Sequence, residues 1–206
     1  MSQKKWGCYE PALFPALADL PFLVGAMKIL VCAGHGGTDP GNTWGGAHEA
    51  VLMTQLRDMV VERLRRAGHD VTTDGTKAQN LTLRDAMRLV AGRDVSVELH
   101  TNASERTAAT GVEVIANRAD SVLAQRIAQA IARVLEIPVR RNAGWLPVAD
   151  IAAERGFTPG FVRAGGLIVE CFFQSNPDDL LKYRARTELV ADAIAAAVAP
   201  ADGAAT

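Results

Sequence analysis

A chain of 206 residues, 49% of them apolar, is long enough to bury a substantial core and reads as one domain. A formal net charge of −1 leaves no electrostatic footprint for nucleic acid or for an anionic membrane, and no apolar run approaches the ~20 residues of a membrane-spanning helix. Cys8, Cys32 and Cys171 are odd in number and lack CxxC spacing, so they support neither a disulfide framework nor a cysteine zinc site and read as small buried thiols.

In chain order, Lys4-Lys5 followed by ALFPALADLPFLVGA is loosely like a secretory signal, but Glu10, Asp19 and three prolines interrupt its apolar region. Residues 1–26 are therefore expected to form an N-terminal arm, 27–199 the folded domain, and 200–206 a frayed tail. The stretch Lys28–Glu49 organises the rest. The apolar run Ile29–Ala33 reads as a buried strand and ends in Gly34-His35-Gly36-Gly37. A loop rich in Gly, Pro and Asn follows, and Glu49 opens a helical pattern. Leu52, Leu56, Val60 and Leu64 then recur at helical spacing until Gly68. His69–Thr73 reads as a short strand, and Thr82 as the cap of a helix carrying Leu83, Met87 and Val90. Asp94–His100 and Gly111–Ala116 read as strands, and Asp120–Glu136 as a helix with Leu123, Ile127, Ile131 and Val134 on one face.

Pro138–Ala164, rich in Gly, Pro and Arg, is expected to be a strand-and-loop excursion with one helical turn. Leu167–Phe173 is a third near-continuous apolar strand. Asn176-Pro177-Asp178-Asp179 is a strong helix start, with a capping Asn, Pro at the first position and acids in the first turn. Strands alternating with helices predict a single-domain α/β fold with a twisted, largely parallel central sheet and helices on both faces.

Three of the apolar strands finish on residues that bind metals or move protons: His35, His100 and Glu170. Ligands gather at the carboxyl ends of parallel strands, and Glu49 lies within reach of the same edge. Two imidazoles and one carboxylate make a catalytic zinc set, leaving a second carboxylate to handle protons. Alone, each histidine would more often be structural, and Glu49 would simply favour a helix start. Glu170 is harder to dismiss, because an unpaired carboxylate beside Phe172 and Phe173 is costly to bury.

GHGGTDPG, then a glutamate opening a helix, then His100-Thr101-Asn102-Ala103, then Glu170–Asn176 in the pattern E-x-x-F-x-S-N resembles the zinc-dependent N-acetylmuramoyl-L-alanine amidases of the amidase-3 type. The likeness runs from Met27 to the C-terminal helix. It implies the amidase-3 (phosphorylase/hydrolase-like) architecture, with His35, Glu49 and His100 as Zn²⁺ ligands and Glu170 as the catalytic glutamate. The implied reaction is hydrolysis of the amide joining N-acetylmuramic acid to the first L-alanine of peptidoglycan, by a phage endolysin or minimal autolysin. Neither nucleic acid nor membrane is expected as a partner, and the chain is expected to be a monomer. It would accumulate in the cytoplasm and need a holin-type route to the wall, or be secreted if its first residues are a signal.

The chain departs from the family pattern at Phe172, where the family usually has glycine, so crowding beside Glu170 is expected. Glu98 lies two residues before His100 and projects to the same face. Glu98 and Asn102 are candidate residues for orienting the ligands from behind; the alternative for Glu98 is a strand-edge carboxylate paired with an arginine. Other motifs fail. His48-Glu49 begins like H-E-x-x-H, but Leu52 stands where the second histidine belongs. Gly34-x-Gly36-x-x-Asp39 lacks a third glycine, and no G-x-S-x-G is present. His48 reads as solvated or as an outer partner, and His69 as structural. Arg140, Arg141, Arg155 and Arg163 are either a grip for stem-peptide carboxylates or a solvated face. The rival readings are another zinc hydrolase on the same scaffold and a non-catalytic wall-binding module.

Overall fold

Alternation along the strands sets the architecture. In β1 (Lys28–Ala33), Ile29, Val31 and Ala33 enter one apolar cluster while Leu30 and Cys32 enter another on the opposite side. The computed structural model describes residues 25–77 and 79–200, so nearly all of the expected arm, together with Cys8 and residues 201–206 of the expected tail, lies outside the described residues. After β1 come a small hairpin, β2 (Thr43–Trp44) and β3 (Ala47–His48), the helix α1 (Glu49–Arg66), β4 (Asp70–Thr73) and α2 (Leu83–Arg88). The second half holds β5 (Val95–Asn102), β6 (Glu113–Ala116), α3 (Ser121–Leu135), β7 (Trp145–Pro147), α4 (Val148–Arg155), α5 (Gly160–Arg163), β8 (Leu167–Phe173) and α6 (Pro177–Val198).

Six strands form one sheet in the order β4-β1-β5-β8-β6-β7. Neighbours pair in parallel except β6 with β8, which run antiparallel. The largely parallel sheet read from the sequence is thus present, with one antiparallel join. One face is covered by α1, α3 and α6, whose Leu56, Val60, Ile127, Ile131, Val190 and Ile194 are all 0% exposed. The other face is covered thinly by the short α2, α4 and α5, through Ala86, Ile151, Phe161 and Val162.

Local capping agrees with the sequence at two helices. The Thr82 hydroxyl accepts the Asp85 N–H, and the Asn176 side chain accepts the N–H groups of Asp178 and Asp179 with Pro177 in the first turn. Three expectations need correction. The segment 138–164 contains two helices, α4 and α5, in addition to a strand, because Pro147 and Pro159 each open a short helix that Gly156 and Ala164 close. Glu170 sits in the middle of β8 and His100 inside β5, so only His35 lies beyond its strand. Crowding by Phe172 does not occur. The register between β5 and β8 slips after His100–Glu170, adding a residue to β8. Phe172 thereby turns into the large core, 0% exposed and stacked on Tyr183 at 4.5 Å, away from the face that carries Glu170.

Candidate metal centre

Because side chains alternate, the thinly covered face of the sheet displays Glu98 and His100 from β5, Glu170 from β8 and Glu113 from β6. Cross-strand register sets His100 beside Glu170 and Glu170 beside Glu113. At this row the sheet has exchanged apolar side chains for ionisable ones. A cleft lined in part by Leu81, Leu83, Phe161 and Ile168 opens next to His100 and Glu98.

His35, Glu49 and His100 meet here. Each offers one donor atom, and the donor atoms lie within 4.8 Å of one another. Nε2 of His35 is 3.3 Å from Glu49 Oε2, and Nδ1 of His100 is 3.2 Å from Glu49 Oε1. The two rings stand 5.2 Å apart and nearly perpendicular, at 81°. The remaining nitrogen of each ring faces a carboxylate: His35 Nδ1 is 2.8 Å from Asp39 Oδ2, and His100 Nε2 is 3.1 Å from Glu98 Oε2. A ring N–H donated outward to a carboxylate leaves the inner nitrogen bare for a metal, which is how histidine ligands are ordinarily held.

Glu49 is the first residue of α1 and is fully buried. Its Oε1 accepts the Thr101 N–H at 2.7 Å and its Oε2 the Asn42 N–H at 2.9 Å. Burial alone would raise its pKa, but the His100 contacts and the two backbone N–H groups outweigh burial and hold the carboxyl below its ordinary value. For His100 burial favours the neutral ring, yet its bonds to Glu49 and Glu98 prevail and its pKa lies well above the ordinary imidazole value. Two imidazoles around a carboxylate form a donor set of the three-ligand catalytic zinc type. The backbone makes room for it: a Cβ on Gly34 would fall 2.1 Å from Cε1 of His100, so the ring can lie across the chain only where residue 34 has no side chain.

Glu170 stands beside this cluster without joining it. Its Oε2 is shut off from solvent and has no hydrogen-bond partner among the described residues. Burial pushes its pKa up to about 7, opposed by His100 and reinforced by the carboxylates of Glu49 and Glu113. A carboxyl group that exchanges its proton near neutrality, next to a set of metal donors, is suited to move protons in both directions.

The other sequence candidates divide. Glu98 has His100 as its partner, with no arginine paired to it among the described residues. Asn102 bonds none of the three donors; its Nδ2 donates to Glu113 Oε1 at 2.9 Å, the carboxylate opposite Glu170. His48 is exposed, with Nδ1 3.1 Å from the Thr43 hydroxyl, and His69 Nδ1 accepts the Met27 N–H at 3.3 Å, tying β4 to the start of β1. Arg140 is committed to Glu113 at 3.1 Å and lies over the Phe173 ring, and Arg141 pairs with Glu113 and Glu154.

Sequence reasoning missed Asp39, Glu113 and Gln174. Asp39 stands in the sequence as the end of a failed nucleotide motif, yet it follows His35 by one helical turn's spacing in a loop that doubles back through paired Gly36 and Asp39. Glu113 interrupts an apolar strand as Glu98 and Glu170 do, and the same rule singles it out. Gln174, fully buried, accepts from the Thr101 hydroxyl and donates to the carbonyls of Asn42 and Ala47, joining the loop before α1 to β5; no local pattern announces it.

The sequence model of the N-acetylmuramoyl-L-alanine amidase family, amidase-3 type, matches residues 29–200. No curated protein matches the chain. Among solved structures, a candidate N-acetylmuramoyl-L-alanine amidase from Neisseria meningitidis is 36% identical, with a TM-score of 0.78 over 87% of this chain and 97% of its own. An N-acetylmuramoyl-L-alanine amidase from Clostridium difficile 630 is 22% identical, with a TM-score of 0.71 over 84% of this chain and 95% of its own. The catalytic domain of CwlV, an amidase from Bacillus (Paenibacillus) polymyxa, is 20% identical, with a TM-score of 0.70 over 84% and 96%. The last two share the fold. With a family match spanning nearly all the described residues and a 36% identical relative covered almost end to end, the chain belongs to the amidase-3 family of N-acetylmuramoyl-L-alanine amidases, enzymes that degrade peptidoglycan.

Proposed function

We propose that His35, Glu49 and His100 hold a catalytic Zn²⁺ and that Glu170 is the general base and acid for hydrolysis of the amide between N-acetylmuramic acid and L-alanine. The observation that carries this reading is the convergence of three donor atoms within 4.8 Å, each imidazole backed by a carboxylate, beside a buried glutamate oxygen with no partner among the described residues. The chemistry a zinc ion supplies in such a site is Lewis acidity, toward the scissile carbonyl and toward water.

The protein groups do the rest. Glu49, pinned by two backbone N–H groups, keeps its charge and its orientation. Asp39 and Glu98 hold the imidazoles in the tautomer that turns the inner nitrogens toward Glu49. Glu170 takes the proton of the attacking water on a carboxylate oxygen and gives it to the departing alanine nitrogen, returning to its starting state. The cleft that opens beside His35, Glu98 and His100, walled in part by Leu81, Leu83 and Phe161, gives the substrate an approach to the three donors.

Two further parts of the reading concern the working form. The enzyme acts as a monomer, and it reaches the wall either from the cytoplasm through a holin-type route or by secretion. Among the described residues no helix is long and apolar enough to cross a membrane. Gel filtration and cell fractionation test these points. The experiment for the reaction itself is digestion of purified sacculi, with mass spectrometry of the fragments. Stem peptides with free L-alanine amino termini are expected only when zinc is present; release of fragments cut at another bond would overturn the assignment.

A further inference from the structure

His35 occupies a backbone that its own sequence does not enforce. Its φ is +63°, a region that residues with side chains seldom adopt, and it is flanked by glycines that prefer no conformation. The grip comes from elsewhere. Nδ2 of Asn80 donates to the carbonyls of both Ala33 and His35, at 2.9 Å for the first. Oδ1 of Asn80 accepts from the guanidinium of Arg57. Because both backbone partners accept and Arg57 only donates, the amide has a single possible orientation.

Arg57 is itself fully buried, an expensive placement that requires saturating partners. They are Asp58 Oδ1 at 2.8 and 2.9 Å, Asp74 Oδ1 at 3.2 Å and the Gln79 carbonyl at 3.1 Å. The other oxygen of Asp74 accepts the Ala33 N–H at 3.3 Å. Three main-chain atoms at the exit of β1 are therefore held by side chains hung on one arginine. That arginine lies on α1, about two turns beyond Glu49. Gly36 completes the fit, since a Cβ there would fall 2.8 Å from Cβ of Asn80.

We propose that Asn80 is a positioning residue of the metal centre: suspended from buried Arg57, it fixes the left-handed backbone at His35 and sets that imidazole in register with Glu49, so that one helix places two of the three donors. This rests on His35 being a metal ligand, and the test separates the two claims. Asn80→Asp keeps the shape and the partnership with Arg57 but has no N–H for the carbonyls of Ala33 and His35; Asn80→Ala loses both.

Zinc affinity is measured on the metal-free protein by competition with a chromogenic chelator, alongside its melting temperature and the visible spectrum of the Co²⁺ form. Both variants are expected to bind zinc about 10- to 100-fold more weakly than the wild type, with a changed Co²⁺ spectrum and a metal-free melting temperature within about 3 °C of the wild type. Zinc affinity within about twofold of wild type in either folded variant overturns the proposal. So does a loss that tracks the metal-free melting temperature and disappears on cooling, and so does failure of both variants to fold, since Asn80 would then serve the fold alone. His35→Ala is the control: if it keeps zinc, the metal-centre reading fails; if it loses zinc while Asn80→Asp does not, only the positioning role fails.

Discussion

The two faces of the sheet obey different physics. Beneath α1, α3 and α6 the strands present Val31, Val97, Leu99, Val114 and Val169, every one at 0% exposure in a continuous apolar core. On the other face the same strands present Cys32, Glu98, His100, Glu113 and Glu170, under three short helices. The first face buries hydrocarbon at about 25 cal/mol per Å² and carries the stability of the fold. The second accepts desolvated carboxylates, each a cost, in return for pKa values and donor positions that water could not provide. The strands are shared, so the rigidity of one face is what positions the chemistry of the other.

This division makes predictions that separate activity from stability. The largest concerns Glu170→Gln, expected to lower kcat on sacculi by about 10²–10⁴-fold while zinc affinity stays near wild type; an active variant would remove Glu170 from the proton transfer. On the opposite face, Phe172→Ala should cost about 3–5 kcal/mol in denaturant unfolding and leave the zinc affinity of the folded protein unchanged. A zinc defect in that variant would mean that the two faces are not separable.

A third prediction concerns pH in the metal-free protein. The folded pKa of Glu170 is raised to about 7 from an ordinary value of 4.5, so between these values the native state binds more protons than the unfolded chain. Stability should therefore fall as pH rises from about 4.5 to about 7, by about 3 kcal/mol relative to Glu170→Gln. His100, raised as well, is stabilising below its unfolded pKa of 6.5, a contribution lost as pH climbs through the higher folded value. A difference between wild type and Glu170→Gln that does not change with pH would contradict this. The smallest effect is expected from Glu98→Gln, about a tenfold loss of zinc affinity at nearly constant melting temperature; an unchanged affinity would reduce Glu98 to a passenger of the strand.

The same contrast explains what the sequence could reveal. The apolar face writes itself in periodicity, so α1, α3, β5 and β8 are legible within a residue or two, and Asn176 and Thr82 mark their helix starts through local capping chemistry. On the polar face, residues that break an apolar run are visible for the same reason: Glu98 and Glu170 stand out because a carboxylate in a buried strand demands an explanation. The segment 138–164 is obscure because α4 and α5 are too short to build a period. The turn of Phe172 into the core depends on a slip in register between two strands distant in sequence. Asn80, Arg57 and Gln174 act through hydrogen bonds that join segments far apart in sequence, which no local pattern announces.

His35, Glu49 and His100, from three separate parts of the fold, are proposed to grasp one metal ion. Zinc titration of the metal-free wild type, set beside His35→Ala, Glu49→Ala and His100→Ala, tests it most directly. One zinc per wild-type chain is expected, with a loss of affinity of more than about 100-fold in each variant, beyond that expected for any outer partner. Wild-type affinity in any one of the three, with the fold intact, would contradict it.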